Sequence, residues 1–254
     1  MTVKQQGLAN LKNEGKYQMK ITMIGHSTVL IETGGQKIIT DPYFGLLGNI
    51  AYARIAPPAK TREELSDVNL VLISHNHWDH TDSKFLKSLG EDVPVLAPNW
   101  TKWMTKLKGA KNPIGMKTWE VKSFGAITIT AVQALHIAAT IGYVIESEGK
   151  RIYFAGDTYY RPFMKNIGQR FQLDVALMPV TTFRIPMTMG EKSAVHAVRD
   201  LKPAVVIPIH LGIRPRSPLL RTSQTPEGFA RYVLEANLEA KIVVLKVGES
   251  WTLS

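Results

Sequence analysis

The chain contains no cysteine. Disulfides are excluded, and so is any metal site built on thiolate, so a bound metal would have to be held by histidine, aspartate, glutamate or water. The absence also suits a reducing compartment. Long apolar runs are missing as well: none reaches the roughly 18 residues that a membrane-spanning helix needs. Met1 to Gln18 is polar and lacks the apolar centre of a secretory signal. A cytoplasmic protein with no transmembrane segment is the expectation from these absences. There is no low-complexity segment, no linker and no internal repeat.

Acidic residues are few beside basic ones. Lys and Arg number 31 against 21 Asp and Glu, a formal charge of +10. That balance favours an anionic partner: a phosphorylated small molecule, an anionic lipid surface or nucleic acid. Nucleic acid has the least support of the three, because no Lys/Arg block is longer than two and no RNA-binding signature is present. At 254 residues and 44% hydrophobic, the chain has ample material for a core. One domain over residues 1–254 is expected, with residues 1–18 as a polar arm in which 7–16 is a short helix or a loose arm. The sequence does not address oligomeric state.

Histidine is scarce too, seven in the whole chain, yet three fall within six positions. The stretch Ser74-His75-Asn76-His77-Trp78-Asp79-His80-Thr81-Asp82 follows the apolar run Asn69-Leu70-Val71-Leu72-Ile73. That run reads as a strand buried on both faces, and a buried strand fixes the loop at its C-terminal end. His75 and His77, two apart, can lean the same way and grip one ion, while Asp79 and His80 can face a second point nearby. The design recurs with single ligands. His136 comes after a strand at 127–131, Asp157 after Ile152-Tyr153-Phe154-Ala155, and His210 after Val205-Val206-Ile207-Pro208-Ile209.

Strands dominate the first part of the chain, and mixed strand–helix units follow. Strands are expected at 19–24, 29–33, 37–40, 69–73, 93–97, 119–121, 127–131, 143–146, 151–155, 175–178, 204–209, 242–245 and 251–253. Helices are expected at 83–89, 101–107, 163–170, 191–201 and 226–236. The order implies two sheets packed face to face with helices outside, an α/β class of four-layer αββα sandwich with two mixed sheets. Residues 45–67 form a long irregular stretch, which in a compact domain suggests a lid near the site.

The His-x-His-x-Asp-His pattern resembles the metallo-β-lactamase fold superfamily. Gly25-His26-Ser27-Thr28, Thr40-Asp41-Pro42, the loop 75–82, Phe154-Ala155-Gly156-Asp157-Thr158 and Ile209-His210 all stand in that family's order. Within the superfamily the chain is most similar to the branch of the N-acyl-phosphatidylethanolamine phospholipase D and the ascorbate-6-phosphate lactonase. The similar stretches are 74–78, 167–171 and 244–250.

The resemblance implies two divalent metal ions. His75, His77 and His136 would bind one, Asp79, His80 and His210 the other, and Asp157 would bridge them beside a hydroxide that attacks an ester. Asp79 would also orient the nucleophile or take a proton. Zinc is the first choice of metal, with manganese and iron as alternatives. His26 and Asp41 would orient ligands by hydrogen bonds. Arg184 and Arg214 are candidates for holding an anionic substrate, a small molecule or a lipid. Arg54, Lys60 and Arg161 read as surface charges. Trp100, Trp103 and Trp119 are expected in the core or at its rim, and the lone helical His196 has no evident role.

A metal-dependent hydrolase cleaving an ester is therefore expected, with a phosphodiester as substrate ahead of a lactone. A metal-dependent nuclease and a non-catalytic metal-binding protein are the remaining alternatives.

Overall fold

The computed structural model describes residues 18–253; the arm expected over 1–18, with its short helix or loose stretch over 7–16, lies outside them but for Gln18. Sixteen strands run in chain order: β1 Met19–Gly25, β2 Thr28–Thr33, β3 Gln36–Thr40, β4 Tyr52–Arg54, β5 Leu70–Leu72, β6 Pro94–Pro98, β7 Asn112–Met116, β8 Val121–Phe124, β9 Ile127–Gln133, β10 Ile141–Ser147, β11 Lys150–Phe154, β12 Val175–Pro179, β13 Val205–Ile209, β14 Ile213–Pro215, β15 Lys241–Ile242 and β16 Ser250–Leu253. Five α-helices lie among them: α1 Ser83–Ser88, α2 Lys102–Leu107, α3 Phe163–Arg170, α4 Glu191–Leu201 and α5 Pro226–Glu235.

Two seven-stranded sheets result, ordered β16-β1-β2-β3-β5-β6-β7 and β8-β9-β10-β11-β12-β13-β15. Each begins with three antiparallel pairings and ends with three parallel ones. The central strands, β3 and β11, therefore hold the same place in their sheets, and each leads directly to an aspartate loop, at Asp41 and Asp157.

Strand periodicity sets the layers. Along β5, Leu70 and Leu72 enter the core between the sheets, while Val71 and Ile73 face the outer core beneath α1. Along β11, Ile152 and Phe154 enter the same inter-sheet core, and Tyr153 and Ala155 face α3, α4 and α5. Successive side chains point to opposite faces, so a central strand that is apolar throughout is covered on both. Helix α4 contributes Ala194, Val195, Ala197, Val198 and Leu201 at helical spacing to that outer core. Layers of helix, sheet, sheet and helix follow, as the sequence implies.

The helices match their expected bounds within two residues. Three strands were not legible. Asn112-Pro113-Ile114-Gly115-Met116 carries proline and glycine and is not among the expected strands. It forms β7 because it is the sheet's edge, where proline's missing N–H is tolerated. Strands β4 and β14 pair with each other across a long sequence separation, apart from both large sheets. The strand expected at 242–245 shrinks to the two residues of β15. Trp100 and Trp103 are not in the core: they are 77% and 61% exposed. Trp119 packs beneath the guanidinium of Arg170. No helix among the described residues is long and apolar enough to cross a membrane.

Candidate metal centre

The C-terminal ends of β5, β11 and β13 and the turns after β1 and β9 converge on one point. There the structure gathers the side chains expected from sequence. The ring nitrogens of His75, His77 and His136 lie within 4.8 Å of one another, and a second group joins Asp79, His80, His210 and His26 within the same limit. Asp157 stands between the groups. Its Oδ2 is 3.1 Å from Nε2 of His210, 3.4 Å from Nε2 of His80 and 3.8 Å from Nε2 of His136.

Hydrogen bonds from behind decide which face of His75 and of His80 looks inward. Asp41 is fully buried and accepts three of them. Its Oδ1 takes the Ser74 backbone N–H at 2.6 Å, and its Oδ2 takes the Ser74 hydroxyl at 2.6 Å and Nδ1 of His80 at 2.7 Å. The Ser74 hydroxyl has thus given its proton away, so its contact with Nδ1 of His75 at 2.9 Å must be accepted from the ring. Both rings therefore carry hydrogen on Nδ1 and aim Nε2 into the site. Nothing among the described residues hydrogen-bonds to Nε2 of His75, His80 or His136, nor to Oδ1 of Asp157, although all four atoms are buried. Orphaned buried polar atoms are rare, and these four, on side chains of metal-ligating type, converge on one point. The donor set fits divalent cations.

His26 behaves differently. Its Nδ1 accepts the backbone N–H of Gly212 at 3.2 Å. A neutral imidazole must then carry its hydrogen on Nε2, which faces Asp79 Oδ2 at 3.4 Å. This ring turns its Nε2 toward the carboxylate without a hydrogen bond to it, and it sits within reach of the ligand group.

The electrostatics agree with a cation site. Burial, and then the neighbouring His80, holds the His75 imidazole well below its usual range. Burial pushes His136 down to about 4 and, helped by His210, His26 down to about 3. Burial would also lower His80, but Asp157, Asp41 and Asp79 outweigh it and hold the ring well above its usual range. Burial would raise the Asp157 carboxyl, yet His210 and His80 hold it well below the carboxylate range. The site thus holds His26, His75, His77 and His136 below the usual imidazole range and concentrates three carboxylates around His80, a demand for positive charge that a divalent ion answers.

A cavity of about 150 Å³ opens on the clusters and is walled by Tyr52, Trp78, Phe183, Met187 and Ile213. Tyr52 comes from the stretch 45–67, which is ordered by its own bonds. Arg54, expected on the surface, is 9% exposed and donates to the carbonyls of Tyr43, Gly45 and Ala56. Arg216 donates to those of Asn49 and Leu47. A second cavity of about 380 Å³ shares Phe183, His210 and Ile213 and adds Arg214 and Arg221. Arg184 lines neither; it is exposed and donates to the Leu219 carbonyl. Arg161 is exposed and donates to the Tyr160 carbonyl. His196 lies on α4 beside Tyr160, away from the clusters.

Three contributors were not singled out from sequence: Ser74, whose hydroxyl links Asp41 to His75; Lys108, whose ammonium donates to the carbonyls of Asn76 and His77 within the ligand loop; and the aromatic wall. Ser74 stands beside the first histidine, but its bond to Asp41, 33 positions away, leaves no local trace in the sequence.

The sequence matches the beta-lactamase superfamily domain over residues 20–210. It is 31% identical to a UPF0173 metal-dependent hydrolase of Methanopyrus kandleri, covering 92% of this chain and 99% of that one. It is 34% identical to another such hydrolase of Pyrococcus furiosus, covering 92% and 100%. Among solved structures it resembles Igni18, a metallo hydrolase from the archaeon Ignicoccus hospitalis, with 26% identity, a TM-score of 0.77 and coverage of 93% and 99%. An isothiocyanate hydrolase from Delia radicum gut bacteria shares the fold at 21% identity and a TM-score of 0.76, covering 92% and 98%. The domain match and the full-length relatives agree with the buried His/Asp clusters, and the chain belongs to the metallo-β-lactamase superfamily as a metal-dependent hydrolase of the UPF0173 kind.

Proposed function

We propose that this hydrolase cleaves an ester bond with two divalent metal ions, one held by His75, His77 and His136 and the other by Asp79, His80 and His210, with Asp157 facing both. The observation that carries the reading is the Asp157 carboxylate, within 3.8 Å of ring nitrogens from both groups. Ions at this spacing of ligands would lower the pKa of a water and polarise the ester. Zinc suits the imidazoles; manganese or iron suits the carboxylates.

The protein's own contribution is orientation and exclusion. Asp41 and Ser74 fix the tautomers of His75 and His80. The Nε2 of His26 lies 3.4 Å from one oxygen of Asp79, and the carboxylate would accept a proton or orient the attacking water. Tyr52, Trp78 and Phe183 shield the reacting ester from bulk solvent and offer apolar surface to a substituent beside it.

The substrate class we favour is an anionic ester, a phosphodiester first. Arg214 on the adjoining cavity and the charge of +10 support it. A lactone is the second reading, because no lysine or arginine lines the small cavity itself, which leaves room for a neutral ring ester. Turnover of an aryl phosphodiester and a small lactone by zinc- or manganese-loaded protein separates the two. A metal-dependent rate on the phosphodiester that disappears in Asp157→Ala supports the first reading, and a rate on the lactone alone replaces it. Two bound metals with no turnover on a broad ester panel would overturn both.

A further inference from the structure

Helix α2 and the single 3-10 turn before it, Asn99–Thr101, form one short helical segment with two unlike faces. One face is tied to the ligand loop. Asn76, between His75 and His77, donates to the carbonyl and hydroxyl of Thr101 and to the hydroxyl of Thr105. The opposite face carries Trp100, Trp103 and Leu107, spaced three and four apart so that they share one stripe. They are 77%, 61% and 75% exposed. Two indoles and a leucine left in solvent on adjacent turns are an unusual use of apolar surface, since contiguous patches of this kind mark interaction sites.

The charge around the stripe names the partner's chemistry. From Val93 to Trp119 there is no aspartate or glutamate, whereas there are five lysines, 102, 106, 108, 111 and 117. Lys102 and Lys106 are exposed beside the stripe. We infer that this face docks on an anionic lipid surface, with Trp100, Trp103 and Leu107 entering the headgroup boundary and Lys102 and Lys106 meeting lipid charge; Lys108 is tied to the Asn76 and His77 carbonyls and Lys111 to Glu91. Indoles settle at the interface between headgroups and acyl chains, and flanking lysines add electrostatic attraction.

A second copy of the chain is a poorer occupant. A two-fold contact would set Lys102 and Lys106 against their own equivalents with no acid on the segment to offset them. Single-stranded nucleic acid uses aromatic platforms, but Leu107 adds apolar area that a base stack does not use. The docking does not depend on which ester is cleaved. Through Asn76 it would bring the ligand loop to the lipid surface, so that substrate and membrane are met on the same side.

The test is co-sedimentation of the metal-loaded full chain with vesicles of phosphatidylcholine alone or with about 30% phosphatidylserine, at low and high salt. Wild type is compared with two variants, the apolar triple W100S/W103S/L107S and the charge pair K102Q/K106Q. All changed residues are exposed, and retained melting temperature and metal content confirm the fold. Wild type is expected to sediment with the serine-containing vesicles and not with phosphatidylcholine alone, with tenfold or greater loss in the triple variant. Each lysine removed is expected to weaken binding about fivefold, with a matching sensitivity to salt. Brominated lipid should quench indole fluorescence in wild type and not in the triple variant. Equal sedimentation of wild type and triple variant would overturn the inference. So would a wild-type dimer that becomes monomeric in the triple variant, or binding to single-stranded oligonucleotide without binding to vesicles.

Discussion

Oδ2 of Asp41 lies 2.7 Å from Nδ1 of His80, and both side chains are wholly buried. The same carboxylate reaches His75 through the Ser74 hydroxyl. One aspartate that faces no cavity thus sets the inward atom of two imidazoles.

Asp41→Asn should weaken metal binding by about 10- to 100-fold while leaving every ligand in place. The amide can offer only one accepting oxygen, whereas Asp41 receives three donors on two oxygens. A buried N–H or hydroxyl is left unmatched, at a cost of about 1–3 kcal/mol. Zinc competition against a chromogenic chelator and a denaturant melt would check both parts; unchanged affinity would remove Asp41 from the site's support.

His26→Asn should leave two metals per chain and reduce turnover. Asparagine tolerates the positive φ of 62° at this position. The variant removes the imidazole N–H that faces Asp79, not a ligand, so metal content by elemental analysis should stay constant while kcat falls. Loss of one equivalent of metal would make His26 a ligand instead.

Metal-free protein should lose stability as the pH falls from 6.5 toward 4. His26 and His136 titrate at about 3 and about 4 when folded, below their unfolded value of 6.5. The unfolded chain therefore takes up these protons first. Each such group contributes a slope of at most about 1.4 kcal/mol per pH unit in this window. His80, whose folded pKa is raised, is charged in both states below 6.5 and adds no slope there; its contribution is lost only as the pH rises through its folded value. Denaturant melts of chelator-treated protein at pH 6.5, 5.5 and 4.5 would measure this, and His26→Asn should flatten the curve.

Gly156→Ala should disable the site from the backbone. Gly156 has φ of 56°, and a Cβ there would lie 2.3 Å from Cβ and 2.6 Å from Oγ of Ser74. The left-handed backbone disfavours any Cβ, and the clash pushes the hydroxyl that links Asp41 to His75. A loss of roughly 1–3 kcal/mol in stability is expected together with weaker metal binding. Alanine tolerated with both properties unchanged would show that Ser74 can move freely.

Trp78→Ala should raise KM more than it lowers kcat for a substrate with an aromatic group beside the ester. Trp78 stacks with Tyr52 at 6.5 Å between ring centroids and meets Tyr43 edge-on at 5.4 Å, and it is no part of either ligand group. Its removal opens the wall and leaves the clusters intact. A fall in kcat with KM unchanged would place Trp78 in the chemistry instead.

The ligand loop was legible because a metal site needs several donors of few types close together, and His75, His77, Asp79 and His80 are adjacent in sequence. His136, Asp157 and His210 were legible because each terminates an apolar run whose alternate side chains fill two cores. Ser74, the Gly212 N–H and Tyr52 were not, because their roles depend on contacts over 33, 186 and more than 150 positions, as in Ser74–Asp41, Gly212–His26 and the β4–β14 pairing. Local pattern carries no trace of such pairings. The exposure of Trp100 and Trp103 was missed for another reason: indoles at helical spacing read as core unless the neighbouring element is known to be bonded through its polar face.

The two central strands, β3 and β11, occupy equivalent places and both deliver an aspartate, yet the aspartates do opposite work. Asp41 grips His80 from behind, while Asp157 stands 3.4 Å in front of it. One imidazole is thereby pinched between the two halves of a near-symmetric scaffold, and it acts as a gauge of their alignment. A slide of either sheet along the other would alter both contacts of this ring at once, so its orientation depends on the packing of the two sheets as well as on the loop that carries it.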